Sequence, residues 1–157
     1  MMNGQNMTAQ QVYATMCQAL DERNWKYSRF EEDLVVSFGV NGDDLPMNFV
    51  LQVDEERQVI RLMSGLPFKM PEDKRVEGAI AAIVASYGMV DGSFDYDLQS
   101  GSVLYRMTAS FRGSRVGTGL FAYLIDCACA MVDRYNDKFL AISKGILTIQ
   151  DFLRQEQ

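Results

Sequence analysis

Apolar and polar positions alternate along three consecutive stretches of this chain, then give way to helical spacing, and the same succession occurs again further on. Leu34, Val36, Phe38 and Val40 alternate with Val35, Ser37 and Gly39. Met47, Phe49, Leu51 and Val53 alternate with Asn48, Val50 and Gln52, and a third strand is predicted from Val59 to Met63. Period two gives each stretch one core-facing side. Asn41-Gly42-Asp43-Asp44 separates the first two, a turn signal because Asn and Gly tolerate positive φ. Asp54-Glu55-Glu56-Arg57 turns the chain again. Connections this short predict an antiparallel meander, and without a crossover helix a doubly wound parallel sheet is disfavoured.

Helical patterns flank the strands. Thr8-Ala9-Gln10-Gln11 fits a capping box, and Val12, Met16 and Leu20 follow four apart, which predicts a helix over 9–22. Trp25, Tyr27 and Phe30 fit a short edge strand ahead of the acidic turn Glu31-Glu32-Asp33, without deciding it. Leu66 to Pro71 reads as a linker, with Pro71, Glu72 and Asp73 suited to the start of a helix. Val76, Ala79, Ile80, Ile83, Val84 and Tyr87 then form one apolar stripe. Such a stripe faces a core more often than a partner. A second hairpin spans 93–111: Phe94, Tyr96 and Leu98 alternate with Asp95 and Asp97, Gln99-Ser100-Gly101 turns, and Val103, Tyr105, Met107, Ala109 and Phe111 return.

The helix expected over about 118–136, extendable through 142, is apolar on more than one side. That calls for a second covering surface, such as a dimer contact or a partner groove. Lys144-Gly145 ends it, and a short helical tail is expected over 148–155. The predicted order is α-β-β-β-α-β-β-α, an α+β domain with a mostly antiparallel sheet and its helices on one face. A single domain over 1–157, with its core over about 9–142, accommodates every element.

Charge narrows the partners. The chain has 157 residues, a net charge of −6 and a pI near 4.6, the wrong sign for nucleic acid or an anionic membrane surface. No apolar run reaches membrane-spanning length, since Asp126, Asp133 and Arg134 interrupt the longest helix. Residues 1–6 lack the basic-then-apolar order of a signal peptide, so a cytoplasmic location is expected. Cys17, Cys127 and Cys129 then read as reduced thiols. The sequon at Asn6-Met7-Thr8 is a chance match, and the ten methionines read as core filler.

Candidate chemistry is sparse. With no histidine, serine and cysteine triads lack their base. Cys127 and Cys129, two apart on a helix, point about 200° apart rather than toward one metal. Asp91, Asp95 and Asp97 could form a carboxylate cluster, but a solvated face opposite Phe94, Tyr96 and Leu98 explains them equally. Gly117-Thr118-Gly119-Leu120-Phe121-Ala122 matches a dinucleotide fingerprint only formally, because its strand belongs to an antiparallel hairpin. A modest version survives: Arg112, Arg115, Gly117 and Gly119, at a helix start, could hold an anion.

Two stretches carry a family resemblance. Leu62-Met63-Ser64-Gly65-Leu66-Pro67-Phe68-Lys69-Met70-Pro71 leads into Lys74-Arg75, and Gly92-Ser93-Phe94-Asp95-Tyr96-Asp97 is followed by Gly101-Ser102-Val103-Leu104-Tyr105-Arg106. With the element order over about 10–140, they resemble the YbjN-like bacterial family, whose domain looks like the class I chaperones of type III secretion. The resemblance implies a cytosolic, often dimeric domain that binds protein and has no catalytic set to carry over. The tail beyond Lys144 departs from the family pattern. The expectation is a non-enzymatic, chaperone-like or adaptor protein without cofactor, homodimeric, binding a segment of a protein partner. Ile80, Val84, Tyr87, Phe121 and Ile125 are the candidate self-association or partner surface. The alternative is a ligand-responsive regulator with its anion site at 112–119.

Overall fold

The computed structural model describes residues 6–157, so the stretch read for a signal peptide lies almost wholly outside them. Among the described residues, six strands form one antiparallel sheet: β1 (Ser28–Phe30), β2 (Val35–Asn41), β3 (Pro46–Asp54), β4 (Val59–Lys69), β5 (Ser93–Tyr96) and β6 (Ser102–Ser110), in the spatial order β1-β2-β3-β4-β6-β5. The four α-helices of the described residues gather on one face: α1 (Ala9–Glu22), α2 (Arg75–Tyr87), α3 (Thr118–Ser143) and α4 (Ile149–Gln155). The predicted capping box is present, with Gln11 N–H donating to Thr8 Oγ1 at 3.1 Å and Thr8 N–H to Gln11 Oε1 at 2.9 Å. No helix among the described residues is long and apolar enough to cross a membrane.

Period-two alternation sets the core. Val36, Phe38, Met47, Phe49, Leu51, Val53, Ile60, Leu62, Val103, Tyr105 and Met107 all point beneath the helices and are buried. Leu98 does not join Phe94 and Tyr96, because β5 stops at Tyr96 and Leu98 is exposed in the turn. The many-sided apolar character of α3 is satisfied within the monomer. Phe121, Leu124, Ile125, Ala128, Val132, Phe139 and Ile142 are buried among the sheet, α1 and α2, so no second chain is needed to cover them.

The expected linker over Leu66 to Pro71 is strand through Lys69. Beyond Met63, β4 leaves β3 and pairs with β6 alone, and its register slips between Gly65 and Lys69. Pro67 falls in that slip, where a missing N–H breaks no regular ladder. Ser64, buried where the strands part, donates its hydroxyl to Asn48 O at 2.7 Å.

The two sheet edges differ. At β5, α2 lies alongside the strand, and Ser86 replaces a seventh strand: Phe94 N–H donates to Ser86 Oγ at 2.8 Å, and the Ser86 hydroxyl donates to Phe94 O at 3.3 Å. At the other edge, β1 is short and exposed. Ser86→Ala is expected to cost about 1–2 kcal/mol by leaving two backbone groups unpaired. It would lower the urea midpoint with an unchanged slope. An unchanged midpoint would mean that water reaches this edge.

Candidate interaction surfaces

α2 packs by its small side. Gly78, Ala81, Ala82 and Ala85 are buried, and the approach is close enough that a Cβ on Gly78 would sit 2.6 Å from Met70 Cγ and 2.8 Å from Tyr96 Oη. Tyr96 donates its hydroxyl to Arg75 O at 2.7 Å, fixing the start of the helix. The larger apolar residues are therefore turned outward. Val76 is 67% exposed, Ile83 70% and Tyr87 94%, and Val90, just past the helix, is 97% exposed. This corrects the core-facing expectation for the stripe. Of the residues expected at a partner surface, Ile80 and Tyr87 are exposed and Val84 is half-buried, whereas Phe121 and Ile125 are core residues of α3. Val76, Ile83 and Val90 are exposed beside Ile80 and Tyr87 and form one apolar ridge with them.

The ridge adjoins two grooves. One, of about 530 Å³, lies between α2 and β5 and is lined by Ala79, Ile83, Tyr96, Leu98 and the Asp95–Arg106 ion pair. The other, of about 520 Å³, lies between α3 and the segment after α2, with Met89, Val90, Tyr123, Cys127 and Met131 in its walls. Asp91 in that groove accepts the hydroxyl of Tyr123 and lies 3.8 Å from Cys127 Sγ. The hydrogen bond to Asp91 pushes Tyr123 above its ordinary range. Asp91 O in turn accepts from Tyr105 at 3.0 Å.

None of the three carboxylates stands alone. Asp95 pairs with Arg106, and Asp97 accepts from Ser100 Oγ at 2.8 Å and Gln99 N–H at 3.0 Å, which hold it below the usual carboxylate range. The cysteines are not disulfide-bonded. Burial pushes Cys127 upward and Cys129 up to about 11. Alkylation of Cys129 at pH 8 is expected to be slower than that of free cysteine by on the order of a hundredfold, since only thiolate reacts. A rate equal to free cysteine would show that α3 opens there.

At the proposed anion loop, Arg112 Nε donates to Gln58 Oε1 at 3.2 Å, tying that arginine to the β3–β4 turn. Gly117 caps α3 without a side-chain hydrogen bond, and Gly117, Gly119 and Arg115 are exposed. A third concavity, of about 520 Å³, lies over the uncovered sheet face beside β1, between Lys26, Ser28, Ser37, Gly39, Asn48 and Val50. It exists because these outward positions carry small or polar side chains.

No family model matches the chain, and no curated protein matches it. Among solved structures, it is similar to a chain of the HopA1–SchA chaperone–effector complex, at 11% identity and a TM-score of 0.50, over 78% of this chain and 90% of that one. It is also similar to a chain of the ExsC–ExsE complex, at 12% identity and a TM-score of 0.54, over 82% and 96%. At these identities the likeness is one of fold, and it is the chaperone-like α+β fold class expected from the sequence.

Proposed function

We propose that this chain is a non-enzymatic, chaperone-like cytoplasmic protein that forms a homodimer through the α2 ridge and binds a segment of a protein partner. The observation that carries this reading is the ridge itself. A helix with a filled small-residue face has no structural need for Val76, Ile83, Tyr87 and Val90 on the other side. Burying each such side chain contributes about 1.5–3 kcal/mol, and contiguous apolar patches of this kind mark association sites. The fold is shared with chains from complexes, one of them chaperone–effector by name, which supports a partner-binding role; the YbjN-like resemblance belongs to the same reading.

The open β1 edge and the concavity beside it suit an extended segment, which can add backbone hydrogen bonds there. The β5 edge does not, because Ser86 already occupies it. Light scattering at tens of micromolar tests self-association: a mass near twice 17.7 kDa is expected, and a strict monomer overturns the dimer.

The second reading, an anion-responsive regulator using Arg112, Arg115, Gly117 and Gly119, has less behind it, since Arg112 is engaged with Gln58. Millimolar phosphate or nucleotide is expected to leave the melting temperature unmoved. A clear rise would favour the regulator.

A further inference from the structure

Helix α3 presents a second stripe, distinct from the side that packs in the core. Tyr123, Asp126, Cys127, Ala130, Met131 and Arg134 recur at i, i+3, i+4, i+7, i+8 and i+11. That spacing puts them on one side of the helix over about three turns, or roughly 16 Å. All six are exposed or half-buried, and they floor the groove of about 520 Å³ whose wall is Met89 and Val90. The volume falls in the range of clefts that hold ligands. The wall is fixed from behind. Gly92 turns at φ +76, an added Cβ there would lie 2.4 Å from Tyr105 Oη, and Tyr105 donates to Asp91 O at 3.0 Å. The groove is therefore preformed, and an occupant need not order it.

Its charged groups are unevenly matched. Asp126 on the rim pairs with Arg23 at 2.8 Å, and Arg134 at the far end stacks over the Tyr135 ring at 5.2 Å. Asp91 forms no ion pair among the described residues. Tyr123 and Cys127 both approach its Oδ2, which leaves Oδ1 to accept from an incoming donor. The Tyr123 ring, exposed in the same groove, can cover the apolar stem of a lysine or arginine. The groove is bounded by a helix face and a turn, not by a strand edge, so an extended segment finds no ladder to join. A helix satisfies its own backbone and needs none. The net charge of −6 also favours the approach of a basic segment.

We propose that this groove receives an amphipathic helix of a partner protein, about three turns long, apolar along one face and carrying a lysine or arginine that meets Asp91. The inference rests on the partner-binding reading and places a helical part of the bound segment here, apart from the β1 edge. Apolar side chains one turn apart lie over Cys127, Ala130 and Met131, and Met89 in the wall adapts to their shape. The basic residue supplies the one charge that the groove lacks, beside a carboxylate whose second oxygen is open.

Two labelled helical peptides of about 14 residues, with leucines at i, i+4, i+7 and i+11, are titrated into the full chain by anisotropy. They differ only in a lysine or a glutamate at the end of the apolar face. The lysine peptide is expected to bind at least about fivefold more tightly than the glutamate peptide. Asp91→Asn is expected to erase that difference, since the amide still accepts from Tyr123 but carries no charge. Ala130→Arg, at an exposed position on the groove floor, is expected to weaken the lysine peptide at least about tenfold while the melting temperature moves by only a few degrees. Failure of both peptides to bind, a lysine preference that survives Asp91→Asn, or full binding by a folded Ala130→Arg would overturn the proposal. So would a mass that falls in Ala130→Arg, which gives the groove to a second copy, or equal affinity for octylammonium, which gives it to a small amphiphile. A co-purified partner that stays on Ala130→Arg overturns the groove alone, whereas a chain recovered bare overturns the partner-binding reading beneath it.

Discussion

Exchanging Ile83 and Tyr87 together for lysine is expected to convert the proposed dimer to a monomer while leaving the melting temperature within a few degrees. Ile83 is 70% exposed and Tyr87 94% exposed in the single chain. Neither contributes much to its core, and exposed substitutions of this kind usually change stability by about 0.5 kcal/mol or less. At an interface the same two positions would be anchors. Aromatic and large aliphatic anchors cost about 2 kcal/mol or more each when lost, and a buried unpaired lysine adds a desolvation penalty. About 4 kcal/mol together raises the dissociation constant about a thousandfold. Sedimentation equilibrium with a thermal melt reads both quantities. A variant that remains dimeric places the interface elsewhere, and a variant that unfolds makes the ridge part of the core.

Gly101→Ala is expected to cost about 4 kcal/mol and lower the melting temperature by roughly 10 °C, combining a left-handed backbone penalty with a backbone clash. Gly101 turns at φ +77, and an added Cβ would overlap the Met70 carbonyl oxygen. The same residue accepts Met70 N–H at 2.8 Å and donates to Asp97 O at 2.7 Å. It therefore ties the β5–β6 turn to the end of β4, the point from which α2 departs. Its loss acts on the ridge as well as on stability, so the affinity of the proposed dimer should fall with the melting temperature. A melt within about 2 °C of wild type would contradict this account of the junction.

Most of the fold was legible because its strands alternate strictly and its turns carry Gly, Asn and Asp at the required places. What misled was size. In 75–87 the large apolar residues form the conspicuous stripe, yet the helix buries the opposite row, Gly78, Ala81, Ala82 and Ala85. Those four follow i, i+3, i+4 and i+7, so the signal was present. Close approach to Met70 and Tyr96 favours small residues, and hydrophobicity scales rank them low. The reach of β4 past Pro67 was hidden because proline normally stops a strand, and the register slip that admits it arises only from pairing with β6. Phe121 and Ile125 were assigned to a surface because a wide apolar helix seemed to exceed one sheet face. The sheet, α1 and α2 together cover it instead. The Asp91–Tyr123 and Glu156–Tyr135 contacts join residues 32 and 21 positions apart, beyond any local pattern.

As proposed, this chain holds a segment of a protein partner. Affinity co-purification from the source cells, with mass spectrometry of whatever stays bound, tests it most directly when repeated with short deletions in the recovered partner. One stoichiometric protein is expected, its retention dependent on a single short segment. Recovery of the chain bare, or carrying only a small molecule, would contradict it.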